Sequence, residues 1–202
     1  MKNKVLIGFL VIVAFALIAV FIRPSPTICA DDVRGYETTA SSSIEVARNA
    51  LSKINSSAST TIGTKVAAQL DGLNATNFAS IKACDTQCKL LDRCLRFVFF
   101  KPPSEACPTE YRDYKQRIDA ASGLLRQVEG VAASAEDARK KADEIGRSQK
   151  AIEELANSSG ATGGRVDQLK AQIGKLTNDL SAQLSSIDGK LDEIAKDQRK
   201  GG

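Results

Sequence analysis

The sequence predicts an all-α protein: a single N-terminal transmembrane helix, a disulfide-stapled helical hairpin and extended coiled-coil helices. Three observations carry this reading. Val5 to Ile22 is a run of 18 apolar residues, counting Gly8. From Tyr36 onward apolar residues recur at steps of three and four, the period of one helix face. Four cysteines, Cys84, Cys88, Cys94 and Cys107, cluster around a Pro102-Pro103 break. The expected organisation is an anchor or signal segment at 1–30, juxtamembrane amphipathic helices at 31–77, a cysteine-containing hairpin and long helix at 78–156, a Gly/Ser linker at 157–164 and a coiled coil at 165–202.

The first segment has a membrane-targeting layout. Lys2 and Lys4 precede the apolar run, and Arg23-Pro24-Ser25-Pro26 comes after it. As a helix, 18 residues span ~27 Å, about the thickness of a bilayer core. The basic N-terminus predicts a single pass through the inner (cytoplasmic) membrane, N-terminus in the cytoplasm and the bulk of the chain periplasmic or extracellular. The run exceeds the ~7–15 residues of a usual signal peptide, which favours a retained anchor. Cleavage after Ala30, in Ile28-Cys29-Ala30, is the alternative and would make the protein secreted.

Residues 31–35 read as a turn, followed by a helical stripe through Tyr36, Ala40, Ile44, Ala47, Leu51 and Ile54. Ser56 to Gly63 is a weak point. Ile62, Val66, Leu70 and Leu73 restore the period, and Asp71-Gly72 with Asn74–Asn77 marks a turn, with Thr76 or Asn77 capping the next helix. That helix is expected from Phe78 to Phe100, its stripe running through Ile81, Cys84, Cys88, Leu91, Leu95 and Val98. Proline lacks an N–H and disfavours helix in the residue before it, so Lys101-Pro102-Pro103 stops the helix. Ser104 could cap the helical segment after this break.

A long seam then runs through Tyr111, Tyr114, Ile118, Ala121, Leu125, Val128, Ala132 and Ala135. It continues through Ala138, Ala142, Ile145, Gln149, Ile152 and Ala156 if one extra three-residue step, a stammer, is admitted. Asn157 to Gly164 is a linker by composition; Arg165-Val166 stands where a phosphate loop needs Lys-Ser/Thr. The final seam is Val166, Leu169, Ile173, Leu176, Leu180, Leu184, Ile187, Leu191 and Ile194. Two successive steps of four around Leu180 form a stutter. So narrow a stripe is marginal on a lone helix in water. It requires another copy, an earlier helix of the chain or another protein.

Outside the cytoplasm, clustered cysteines read as disulfides. Cys94–Cys107 would staple the hairpin, and Cys88–Cys107 is the main competing pair. Cys84 and Cys88 lie one turn apart on one helix, so each is expected to pair elsewhere. Cys29 stands apart and makes the count odd. The spacings match neither paired zinc knuckles nor a redox Cys-x2-Cys. Phe97, Phe99 and Phe100 adjoin this cluster and form either hairpin core or an inserting tip.

The chain has no histidine, the commonest general base and zinc ligand. Lys2, Lys4 and Arg23 account for most of the net charge of +4, so there is no basic patch for nucleic acid. No catalytic, cofactor, metal or small-molecule constellation is evident. The expected role is a non-enzymatic, membrane-anchored coiled-coil adaptor of a cell-envelope assembly, binding the membrane through residues 5–22 and a protein partner or itself through the C-terminal seam. The alternative is a secreted helical effector acting on a membrane or receptor through the Phe97–Phe100 tip. In organisation the chain resembles phage inner-membrane spanins, which join an N-terminal anchor to a periplasmic coiled coil. No spanin-specific motif covers these residues, and the cysteine hairpin lies outside that outline.

Overall fold

The computed structural model describes residues 29–54, 61–96, 98, 101–157 and 163–200. Every regular element among them is helical. Helix α1 spans Ala30–Ser52, α2 Thr61–Gly72, α3 Ala79–Leu95, the single turn α4 Pro103–Ala106, α5 Pro108–Asn157 and α6 Gly163–Arg199; a 3-10 turn covers Ala75–Asn77.

Helix α1 starts immediately after Cys29, whose carbonyl accepts the Val33 N–H at 3.1 Å. Asp31 and Asp32 occupy its first turn, where the helix dipole favours negative charge. The turn expected at 31–35 is therefore helix. Gly35 costs ~1 kcal/mol there relative to alanine, and the two acids and the buried Val33 offset it.

Asn74, not Thr76 or Asn77, is the local cap. Its Oδ1 accepts the Thr76 N–H at 3.1 Å and the Thr76 hydroxyl at 2.8 Å, closing the 3-10 turn. The N-cap position of α3 falls on Phe78, whose ring is fully buried. A carboxylate from a distant helix does the capping instead. Asp197 of α6 accepts the Ser80 hydroxyl at 2.8 Å and the Ser80 N–H at 3.3 Å.

Helix α3 ends at Leu95 rather than Phe100. The Cys94–Cys107 disulfide, with a Cα–Cα separation of 6.3 Å, explains the early stop. Five further helical residues would carry the chain ~7.5 Å beyond the end of α3, away from Cys107. Pro103 opens α4 at a position whose N–H needs no helical partner, and Pro102 takes the N-cap place assigned to Ser104.

Helix α5 is the spine. Its 50 residues give a rod ~75 Å long. Helix α1 runs parallel to its first half: Asp32 meets Tyr114, and Lys53 lies near Glu136. Helix α3 runs antiparallel to its start, tied by Cys94–Cys107. Helix α6 runs antiparallel along its second half, where Gln183 bonds Asp137 and the Ser134 carbonyl. Helix α2 lies beside α6, with Lys65 on Asp188 and Gln69 on Asp192, and meets α1 where Arg48 pairs with Asp71. The cross-section is thus three helices (α1, α3, α5) at the base and four (α1, α2, α5, α6) above it.

The buried face of α5 is wider than a single seam. Leu124 and Val131 are buried alongside Ala121, Val128, Ala132 and Ala135, because neighbours sit on two sides. Ala138 and Ile145 continue the core beyond Ala135 as the stammered register requires, but at the next step Ser148 is buried and the expected Gln149 is exposed, as is Ala156.

The single-pass inner-membrane placement is corrected by the structure. Among the described residues, no helix is long and apolar enough to cross a membrane; each carries its apolar groups as a stripe between charged faces. The Val5–Ile22 run, on which that placement rested, lies outside the described residues. Cleavage after Ala30 fits no better. It would cut within the first turn of α1 and sever that helix from Cys29, whose sulfur is bonded to Cys88.

The two disulfides close loops of different length, with sequence separations of 59 and 13. Loop-closure entropy predicts that Cys29→Ser/Cys88→Ser costs ~4 kcal/mol and Cys94→Ser/Cys107→Ser ~3 kcal/mol. Urea unfolding of the two double variants checks the order: the Cys29/Cys88 variant has the lower midpoint.

Candidate functional site

Two regions concentrate distinctive chemistry: a cysteine–tyrosine cluster at the base and an arm at the opposite end.

At the base, α1 and α3 run antiparallel and present Cys29 to Cys88. The two cysteines are buried and bonded, with Cα atoms 5.8 Å apart. Of the four clustered cysteines, Cys94 pairs with Cys107 as expected, and Cys88 pairs with Cys29 instead of Cys107. Cys84 takes no partner and is a fully buried free thiol, contrary to its place among the disulfide candidates. The reason is geometric. Cys84 lies one helical turn deeper than Cys88, level with Asp32 and Tyr36 of α1 rather than with Cys29.

Cys84 and Tyr114 are buried, Tyr36 is half-buried and Asp32 is exposed, and the four form one polar cluster at the edge of the core. The Tyr114 hydroxyl donates to Asp32 Oδ2 at 3.1 Å. Burial pushes the Cys84 thiol up to about 11, and the carboxylates of Asp32 and Asp85 add to the shift. Burial also raises Tyr114, helped by its hydrogen bond to Asp32, and burial with the Asp32 charge raises Tyr36. At neutral pH Cys84 is therefore a protonated thiol, whereas nucleophilic attack and metal binding need a thiolate.

Two groups bring potential metal ligands within 4.8 Å of one another: Cys29, Cys88 and Asp92, and Cys94, Cys107 and Glu110. In both, the sulfurs are joined in a disulfide and offer no thiolate. In the oxidised protein these are stapled corners with a nearby acid. A pocket of about 130 Å³ at the α1–α2–α6 junction, lined by Leu51, Ile54, Gly63 and Leu184, is below the size of a usual small-molecule site.

The arm is the other region. The C-terminal seam divides at its stutter. Leu180, Leu184, Ile187, Leu191 and Ile194 are buried, whereas Val166, Leu169, Ile173 and Leu176 stay partly exposed. The division has a clear cause. Beyond about Ala142 of α5 and before Leu180 of α6, α1 and α2 no longer flank the pair. Of the possible partners for this seam, earlier helices of the chain cover the second half.

Polar contacts fix the arm's register. Lys141 Nζ donates to Gln183 Oε1 at 2.8 Å, and Gln172 Nε2 to Glu144 Oε1 at 3.3 Å. Charge is divided between the two strands. On α5, Asp143, Glu144, Glu153 and Glu154 outnumber Arg147 and Lys150; on α6, Arg165, Lys170 and Lys175 outnumber Asp167 and Asp179. Phe97, Phe99 and Phe100 lie outside the described residues, as do 158–162 of the expected linker.

Cys29 and Asp32 escaped the sequence reading. The available signal was spacing: Cys29 is four residues before Val33 and continues the α1 stripe one turn toward the N-terminus. No protein-family model, curated protein or solved structure matches this chain.

The nest makes stability depend on alkaline pH. The folded state holds the Cys84 proton more tightly than the unfolded chain, where the thiol titrates near its ordinary 9.0. This stabilisation is complete below that value and is lost as pH rises toward about 11. The urea midpoint is therefore flat from neutral pH to about 9 and falls above it. In Cys84→Ala the fall begins about one pH unit higher, where Tyr36 and Tyr114 take over. Iodoacetamide modifies Cys84 at neutral pH only after unfolding.

Proposed function

We propose that this chain is a non-enzymatic helical interaction protein: a disulfide-stapled bundle that holds out a two-helix arm as its protein-binding element, in an oxidising compartment. One observation carries the reading. The apolar period of α6 continues, through one stutter, from Ile194 back to Val166, yet its buried part stops at Leu180. An apolar stripe maintained beyond its own fold has no use in the isolated body, and a partner helix would bury it.

The rest of the architecture supports that assignment. The arm is built on regular helices rather than loops, and its root is fixed by Lys141, Gln183 and Gln172. The base is crosslinked twice, which suits an oxidising setting and a fold with few large core residues. The polar nest holds its one free thiol in the unreactive form.

The test separates the arm from the body. Leu169→Glu/Ile173→Glu in the full chain places charge only on the partly exposed half of the seam. The expected result is a smaller native complex from the source cells on sedimentation, with the thermal midpoint of the helical body within a few degrees of wild type. Ile187→Glu, in the buried half, is expected to unfold the body, at a cost above about 3 kcal/mol. A native complex of unchanged size in the Leu169→Glu/Ile173→Glu variant, with wild-type abundance, would refute the arm as the binding element.

A further inference from the structure

We infer that Cys94–Cys107 is a thiol-exchange site: an external thiol joins the chain through Cys94 in a mixed disulfide, while Cys29–Cys88 stays closed.

The two disulfides differ in access. Cys29 and Cys88 are both buried, at 0% and 3% exposure, where α1 meets α3. Cys107 is buried as deeply, at 1%, but Cys94 is partly exposed in the last turn of α3. Exchange requires a thiolate to reach one sulfur of the bond, so access selects the sulfur that is attacked. Of the four bonded cysteines, Cys94 is the one that solvent reaches. Leu90 lies one turn earlier on the same face of α3 and is also exposed, so among the described residues no helix covers the approach along that face.

The other sulfur is placed to leave. Cys107 is the residue before α5, and its carbonyl accepts the Tyr111 N–H at 2.9 Å, the first bond of that helix. It therefore holds the N-cap position. Pro108 has no N–H, and the next two N–H groups, of Thr109 and Glu110, are those an N-cap side chain satisfies. A thiolate released at Cys107 sits at the positive end of a 50-residue helix. Such a position lowers thiol basicity, and a less basic sulfur leaves faster. The Glu110 carboxylate lies within 4.8 Å of both sulfurs. Its charge opposes a lasting thiolate on Cys107 and so favours reclosure over a permanently open site.

The step balances without a further oxidant or reductant. The external thiol R–SH loses its proton, and R–S⁻ attacks Cys94 Sγ. The R–S–Sγ bond forms as the Cys94–Cys107 bond breaks, and the electron pair of that bond leaves with Cys107, which takes up a proton. The sulfur of R is oxidised to the disulfide level and Cys107 is reduced to a thiol. Return attack by Cys107 on Cys94 expels R–S⁻ and restores the original bond. Cys84 does not compete for these sulfurs, because it is fully buried one turn beyond Cys88, on the side away from Cys94. Throughout, Cys29–Cys88 holds α3 to α1, so opening frees the corner around α4 and leaves the bundle assembled.

The oxidised full chain is incubated with reduced glutathione at about pH 8, where part of the added thiol is thiolate, then quenched with acid and mapped by peptide mass. The expected product carries glutathione on Cys94 and a free thiol on Cys107, with Cys29–Cys88 opening at least about tenfold more slowly. A first adduct on Cys107, Cys29 or Cys88, equal opening of the two disulfides, or no adduct on the folded chain would overturn the assignment. In the source cells, Cys107→Ser removes the returning thiol and is expected to trap the mixed disulfide on Cys94, read by intact mass without reduction. A small-molecule adduct identifies a free thiol as the source, and a protein adduct a protein thiol. Cys94→Ser is expected to trap neither at the buried Cys107, and equal trapping there, or an unmodified Cys94 in Cys107→Ser, would also overturn it. Where Cys107→Ser does not accumulate, the wild-type mapping decides.

Discussion

The constraint on which this structure depends is the burial of small side chains along α5. The chain has no tryptophan, and Phe78 is the one phenylalanine among the described residues. No pair of its short helices could bury enough surface to persist alone. Helix α5 resolves this by length. Ala121, Ala132, Ala135 and Ala138 are buried on it, and small residues let neighbouring backbones approach closely. Every other long helix then packs against α5 or against a helix that does. The result is a narrow bundle in which one continuous rod replaces the wide core that the composition cannot supply.

The same dependence explains the two disulfides. Among the described residues, three long helices meet at the base, one fewer than in the middle of the molecule. Fewer neighbours bury less surface per residue, and this is where both crosslinks lie. The polar nest of Asp32, Tyr36, Cys84 and Tyr114 occupies the same level. The base therefore combines thin packing with a buried thiol and a buried tyrosine, and covalent bonds hold it together.

Periodicity made much of the fold legible. The stripes of α1, of α3 up to Leu95, of α5 up to Ile145 and of the second half of α6 follow the apolar period because helix packing acts on side chains at fixed spacing. Cys94–Cys107 is legible because the prolines force a turn between two cysteines. Other features depend on long-range proximity that local rules do not encode. Asp197 caps α3 from more than a hundred residues away, whereas local sequence offers only Thr76 or Asn77 as caps. The partner of Cys29 lies across the bundle, and spacing alone does not say which turn of α3, that of Cys84 or that of Cys88, faces it. The divided seam of α6 was visible as a stutter, but its meaning required knowing where α1 and α2 stop.

The order of the two crosslinks has a mechanical consequence. Cys29 is bonded to Cys88, and Cys94, farther along α3, is bonded to Cys107 at the head of α5. A pull entering the chain before Cys29 therefore reaches α5 through two sulfur bridges and the short stretch 88–94. Helices α1 and α2 lie outside that load path. Tension between the start of the fold and the distant arm would be borne by covalent bonds at the base and by the long axis of a single helix. The remainder of the bundle could stay folded while force passes beside it.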